Sequence, residues 1–231
     1  MTFEAVVFDL DGVLVDSEHM WDEVREAFAH ERGGRWHDRA QADMMGMSSI
    51  EWSRYMHEVV GLDESPAEIN AEVVRRMRAR YAESIPLIDG ALEAVERLSG
   101  AYRLALASSS NRPLIDFVLS KAGLAPFFEV TVSSEEVANG KPAPDVFLEA
   151  ALRLDVASGR CAAVEDSGNG IRAAHAAGMR VITIPNRRYP PPADVLALAD
   201  VRLETLDDLT QDVVAGEVMS PGPPTSSPPR A

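Results

Sequence analysis

The chain has 231 residues, enough for one or two domains with a sizeable hydrophobic core. Hydrophobic residues make up 46% and charged residues 26%, as in ordinary globular proteins. The 37 acids against 22 bases leave a formal net charge of -15, which argues against a nucleic-acid or anionic-membrane partner, since both need a basic footprint.

Residues 3–8 read as a first strand, with Ala5-Val6-Val7-Phe8 suited to burial on both faces. Asp9 and Asp11 interrupt this early apolar run and no basic segment precedes it, so no signal peptide is expected. No apolar stretch reaches the about 18 residues of a membrane helix. Trp21, Val24 and Phe28 then recur at helical spacing up to Gly33-Gly34, and residues 48–60 and 66–82 read as two further helices. Ser65, with Glu68 three residues on, predicts an N-cap.

After Pro86 the pattern changes to alternation. Strands are predicted at 103–108, 128–132, 161–165, 180–184 and 201–203, and helices at 91–99, 113–122, 144–154, 170–177 and 194–199. This order predicts an α/β fold with a Rossmann-like parallel sheet. The helical block separates the first strand from the others, so the expected organisation is a core of residues 1–17 and 86–214 with an all-helical insertion over 18–85. The Pro-rich segment 215–231 is expected to be a disordered tail. The one cysteine, Cys161, lies in an apolar run, is expected in the core, and fits a reducing, cytoplasmic setting.

In a parallel sheet, ligands bind beyond the carboxyl ends of the strands. Those ends carry Asp9-Leu10-Asp11-Gly12, then Ser108-Ser109-Ser110-Asn111, and Glu165-Asp166-Ser167-Gly168; Gly140-Lys141-Pro142 follows the 128–132 strand and its loop. Clustered carboxylates without His or Cys suit a hard cation such as Mg²⁺. A carboxylate beside such an ion can attack phosphorus, a second can move protons, and a lysine and a hydroxyl can hold phosphoryl oxygens. Of the 22 bases 20 are arginines, so Lys141 and Lys121 are minority choices. An ammonium at Lys141 suits a point-charge phosphate anchor, whereas Lys121 is expected to interact with a helix end.

These four motifs, in this order on these elements, resemble those of the haloacid dehalogenase-like phosphohydrolase superfamily, from about residue 3 to 212. The helical insertion is similar to the small cap of the subgroup holding β-phosphoglucomutase and sugar phosphatases. The resemblance implies Asp9 as nucleophile, Asp11 as general acid/base, and Mg²⁺ on Asp9, the Asp11 carbonyl and Asp166, with Glu165 as a further or outer acid. It implies Ser108 and Lys141 as phosphoryl-binding groups, with Ser109 and Asn111 near substrate and Ser109 and Ser110 as competing hydroxyls. Trp21, Met45, Gly46, Met47 and Trp52 are candidates for the cap side of the pocket, Trp52 equally as cap core.

The expected function is Mg²⁺-dependent hydrolysis of small sugar or polyol phosphates through an aspartyl phosphate. Residues 18–85 hold no lysine, which argues against Schiff-base phosphonatase chemistry. Trp21 stands where the mutases of the subgroup carry histidine, which argues against a β-phosphoglucomutase-like phosphotransferase. Phosphoglycolate hydrolysis and a non-catalytic regulatory role on the same scaffold are the alternatives. The expected partner is a small phosphorylated metabolite, and the expected state a monomer or weak dimer.

Overall fold

A computed structural model describes residues 2–216, so the expected tail lies outside the described residues from 217 onward. Six strands form one sheet: β1 (Ala5–Phe8), β2 (Arg103–Ser108), β3 (Val130–Ser133), β4 (Cys161–Glu165), β5 (Arg180–Thr183) and β6 (Val201–Arg202). All pairings are parallel and the order is β3-β2-β1-β4-β5-β6. The first strand is therefore central, flanked by strands about 100 and 160 positions away in the chain.

Alternate residues feed two cores, because successive strand side chains point to opposite faces. Val6, Phe8, Leu104, Leu106, Val164 and Ile182 pack on one face; Ala5, Val7, Ala105, Ala107, Ala163 and Val181 pack on the other. Cys161 is buried on the second face, as expected. The first core continues into the helical block through Trp21, Phe28, Trp52 and Met77.

That block contains α1 (Glu18–Glu31), α2 (Ala40–Met44), α3 (Ser49–Tyr55, continued by a π-helical turn over Met56–Val60) and α4 (Pro66–Glu83). Capping boxes start α3 (Ser48 with Glu51) and α4 (Ser65 with Glu68). The stripe Ile69, Val73, Met77 and Tyr81 buries one face of α4 at four-residue spacing. The two chain crossings into the block run side by side, with Asp16 N–H donating to Pro86 O (2.8 Å) and Ile88 N–H to Leu14 O (3.0 Å).

The remaining helices are α5 (Ala91–Ser99), α6 (Arg112–Lys121), α7 (Asp145–Arg153), α8 (Gly168–Ala176), α9 (Ala193–Leu196) and α10 (Gln211–Ala215). The five-residue helices α2 and α10 are too short to leave a periodic signal, and neither is among the sequence expectations. β3 starts at Val130 and not at residue 128, because a 3-10 turn over Ala125–Phe127 precedes it and Phe128 closes that turn, its N–H donating to Ala125 O. Lys121 sits in the last turn of α6, but its ammonium caps the Tyr81 and Ala82 carbonyls at the end of α4. No helix among the described residues is long and apolar enough to cross a membrane.

Candidate active site

Parallel register places the carboxyl ends of β1, β2 and β4 on one edge of the sheet, and the acidic segments leave from there. Asp9 extends β1 by one ladder bond, its N–H donating to Val164 O at 3.0 Å. Lys141, only 2% exposed, reaches the same point from the loop before α7. Its Nζ donates to Asp9 Oδ1 (2.6 Å), Glu165 Oε1 (2.6 Å) and Ala107 O (3.0 Å), which occupies all three ammonium protons. Burial works against that charge, but the Asp9 and Glu165 carboxylates outweigh it and hold the Lys141 pKa above the ordinary lysine value.

Glu165 is fully engaged. Besides Lys141 on Oε1, its Oε2 accepts the Asp166 N–H (3.1 Å), the Ser167 N–H (3.2 Å) and the Ser167 hydroxyl (3.2 Å). Gly170 leaves it room, since a Cβ there would lie 1.8 Å from Glu165 Oε1. Asp166 is different. Its Oδ2 accepts from Asn186 Nδ2 (3.1 Å), while its buried Oδ1 has no partner.

Carboxylate oxygens of Asp9, Glu165 and Asp166 all lie within 4.8 Å of one another. Burial pushes the Asp9 carboxyl up to about 8, with Lys141 pulling down and Glu165 and Asp11 pushing up. Burial, then Glu165, Glu18 and Asp9, push Asp166 well above the usual carboxylate range. Three buried carboxylates face one ammonium, every donor is oxygen, and one oxygen is orphaned. That set fits a hard divalent cation.

Asp11 is held by four neutral donors. Ser17 Oγ (2.5 Å), Trp21 Nε1 (3.1 Å) and Tyr81 OH (3.5 Å) reach Oδ1, and Ser110 Oγ (2.6 Å) reaches Oδ2. Ser17 precedes α1 in an N-cap position, yet its hydroxyl goes to Asp11 and not to the helix.

One cleft brings together Asp9, Asp11, Lys141, Asp166, Ser109, Trp21, Met45 and Gly46. Ser109 Oγ donates to Gly46 O (3.0 Å) and Asn169 Nδ2 to Met45 O (3.0 Å), so the 45–46 turn is tied across to the core. Ser108, Glu165 and Asn111 do not line this cleft. Ser108 Oγ accepts the Ser110 N–H (3.0 Å), and Asn111 Nδ2 donates to Glu135 Oε1 (2.6 Å) and Asn70 Oδ1 (3.2 Å). Sequence reasoning assigned no role to Glu18, Arg25, Tyr81, Asn169 or Asn186, all of which touch this site; Asn169 and Asn186 do follow the ends of β4 and β5, whereas Glu18, Arg25 and Tyr81 lie on helices of the inserted block and carry no motif signal.

Comparison with known proteins places this geometry among relatives. The family model described as haloacid dehalogenase-like hydrolase matches residues 3–178. The chain is 32% identical over 217 residues to the bifunctional riboflavin kinase/FMN phosphatase of Arabidopsis thaliana, covering 86% of this chain but only 54% of that longer protein. It is 32% identical over 234 residues to hexitol phosphatase B of Escherichia coli, covering 92% of this chain and 96% of that one. The crystal structure of CbbY from Rhodobacter sphaeroides in complex with phosphate superposes with a TM-score of 0.78 at 27% identity, over 90% of this chain and 96% of that one.

Proposed function

The chain belongs to the haloacid dehalogenase-like hydrolases, and from that membership we propose a Mg²⁺-dependent phosphatase of small sugar or polyol phosphates. The observation that carries this reading is the convergence of Asp9, Lys141, Asp11 and Asp166 on one cleft. Hexitol phosphatase B and a fructose-1-phosphate phosphatase of Escherichia coli, both similar to this chain, support the substrate class.

Asp9 is the nucleophile. Its free carboxylate oxygen bonds to phosphorus as the bond to the leaving alkoxide breaks, and Asp11 gives that oxygen its proton. Asp11, now a carboxylate, takes a proton from water as the water oxygen attacks the aspartyl phosphate. Phosphate leaves and the Asp9 carboxylate is restored. Lys141 favours the ionised form of Asp9 against its burial and offsets charge on the phosphoryl oxygens. Asp9, the Asp11 carbonyl and Asp166 would hold the cation. When bound, Mg²⁺ polarises phosphoryl oxygens as a Lewis acid. The engagement of both Glu165 oxygens supports an outer role, orienting Lys141 and the loop that carries Asp166.

Ser109, which lines the cleft, is assigned to phosphoryl contact, Ser108 to shaping that turn through the Ser110 N–H, and Asn111 to the region where α6 meets the block over 18–85. That block acts as a cap, closing to exclude water during transfer and opening for hydrolysis and release. The core spans 1–17 and 86–214. A monomer or weak dimer in the cytoplasm fits the acid excess and the single buried thiol.

The experiment is hydrolysis of a generic aryl phosphate with Mg²⁺ by the parent and by Asp9→Asn, followed by a panel of sugar and polyol phosphates. Turnover by the parent and its loss in Asp9→Asn support the assignment; equal activity of the two removes Asp9 as nucleophile.

A further inference from the structure

Arg25 stands one turn after Trp21 on α1 and is only 5% exposed. Its central guanidinium carbon lies 4.6 Å from the Trp21 ring centroid and 4.7 Å from that of Trp52. The two indoles are 6.1 Å apart with planes at 57°, so they form a wedge, and the guanidinium packs against both. Nη1 donates to Gln41 Oε1 (3.2 Å). Trp21 belongs to α1, Gln41 to α2 and Trp52 to α3, so one side chain ties three helices of the block.

The ordinary reason to bury a guanidinium is missing here. Among the described residues no carboxylate oxygen lies within 4.0 Å of it, in contrast with the ion pairs of Arg76, Arg112 and Arg153. Nε is buried with no acceptor. Burial pulls the Arg25 pKa down to about 10, against the pull of Glu18, Asp11 and Asp22, so the group stays charged at neutral pH. An apolar side chain of similar length would pack against two tryptophans without that desolvation cost. What the charge adds is attraction to the electron-rich ring faces, which strengthens where water is excluded.

Trp21 meets Arg25 with its face and Asp11 with its edge, the indole N–H donating to Asp11 Oδ1 at 3.1 Å. A ring held on its face by a cation cannot tilt without losing that contact, so the direction of its N–H is fixed. The positive charge over the ring also draws electron density from the indole and makes the N–H a stronger donor. We infer that Arg25 is a positioning residue for the reaction, holding the Trp21 indole so that its N–H orients the Asp11 carboxyl toward the leaving oxygen. This rests on the phosphatase reading and adds to it a residue that acts through Trp21.

The test is a double-mutant cycle on the full-length protein with Mg²⁺, using Arg25→Met, Trp21→Phe and the two combined, with para-nitrophenyl phosphate as probe. Each single substitution is expected to lower kcat about 10-fold with KM changed less than about 3-fold. The double variant is expected to fall no further than about 10-fold, because both changes remove the same hydrogen bond. Arg25→Lys keeps a cation and should recover at least about 3-fold of the kcat lost in Arg25→Met. If Arg25→Met fails to fold, Arg25→Lys takes its place in the cycle, and its smaller loss must vanish in the Trp21→Phe background. Phenyl phosphate gives a second readout. Its leaving group depends more on a proton, so kcat/KM should fall further on phenyl than on para-nitrophenyl phosphate. Multiplying losses in the double variant, unchanged kcat in either single variant, no recovery with lysine, or equal losses on the two esters each overturns the inference. Failure of the phosphatase reading shows separately, as absence of hydrolysis of either ester by the parent.

Discussion

Trp21 donates its indole N–H to Asp11 Oδ1 at 3.1 Å, so the first turn of α1 directly restrains the carboxylate assigned to move the proton. Tyr81, from the last turn of α4, reaches the same oxygen, and Ser110, from the end of β2, reaches the other. The aim of Asp11 is therefore set jointly by the helical block and the sheet edge.

Trp21→Phe keeps the aromatic surface and removes that donor. The expected outcome is a fall in kcat of about 10-fold, with KM changed less than about 3-fold, as befits one lost hydrogen bond to a charged group. Steady-state kinetics on an aryl phosphate checks this. An unchanged kcat would show that the other three donors suffice.

Lys141 offers three protons to three acceptors inside the protein, a geometry that the planar fork of arginine cannot match. Lys141→Arg is expected to lower kcat/KM at least about 100-fold. Lys141→Met leaves Asp9 and Glu165 without their counter-ion and is expected to cost about 3–5 kcal/mol in urea unfolding. Near-parent rates for the arginine variant would return Lys141 to a purely structural role.

Gly12 has φ +84°, and a Cβ there would lie 2.0 Å from Asp166 Oδ2. Mg²⁺ is expected to raise the Tm of the parent, and Gly12→Ala is expected to displace that carboxylate and to abolish the rise. Gly33→Ala is the control. It too has positive φ (+75°), but nothing lies within 4 Å of its Cβ, so only backbone strain of about 1 kcal/mol is expected and the Mg²⁺ response should survive. Loss of the response in both variants would assign it to strain and not to Asp166.

Burial, with Asp11 and Asp16 adding to it, pushes the Glu18 carboxyl from 4.5 up to about 7, despite Arg25 and Gln41. Between those values the folded chain holds the proton that the unfolded chain has released. This contribution to stability is thus full below about pH 4.5 and is lost as pH rises through about 7. Glu18→Gln is expected to flatten the decline between pH 5 and 8 by on the order of 1 kcal/mol, the figure being reduced because Glu18 is partly exposed. Urea unfolding at both pH values and fixed Mg²⁺ measures it, and identical slopes for variant and parent would contradict it.

Cys161 lies in β4, fully covered, and burial pushes its thiol up to about 11. It should resist an aromatic disulfide reagent in the native state and react only after denaturation. A fast native reaction would mean that the sheet face packed by α7 and α8 opens readily.

Much of this molecule is readable from residue order. Runs such as Ala5–Phe8 and the first four residues of β4, apolar at every position and separated by helical periods, specify strands buried on both faces, and hence a parallel sheet. Parallel topology then forces the residues after β1, β2, β3 and β4 onto one edge, which is why Asp9, Asp11, Lys141, Glu165 and Asp166 can be named before any coordinate is known. Tertiary structure alone decided how those groups are wired. That Glu165 is saturated while Asp166 keeps an orphaned oxygen, that Ser110 rather than Ser108 bonds Asp11, and that Arg25 packs against both Trp21 and Trp52 all depend on contacts across distant positions. Periodicity encodes which face a residue occupies. Hydrogen-bond partners are set by rotamer and by which surfaces meet, and those emerge only when the helical block seats on the sheet edge.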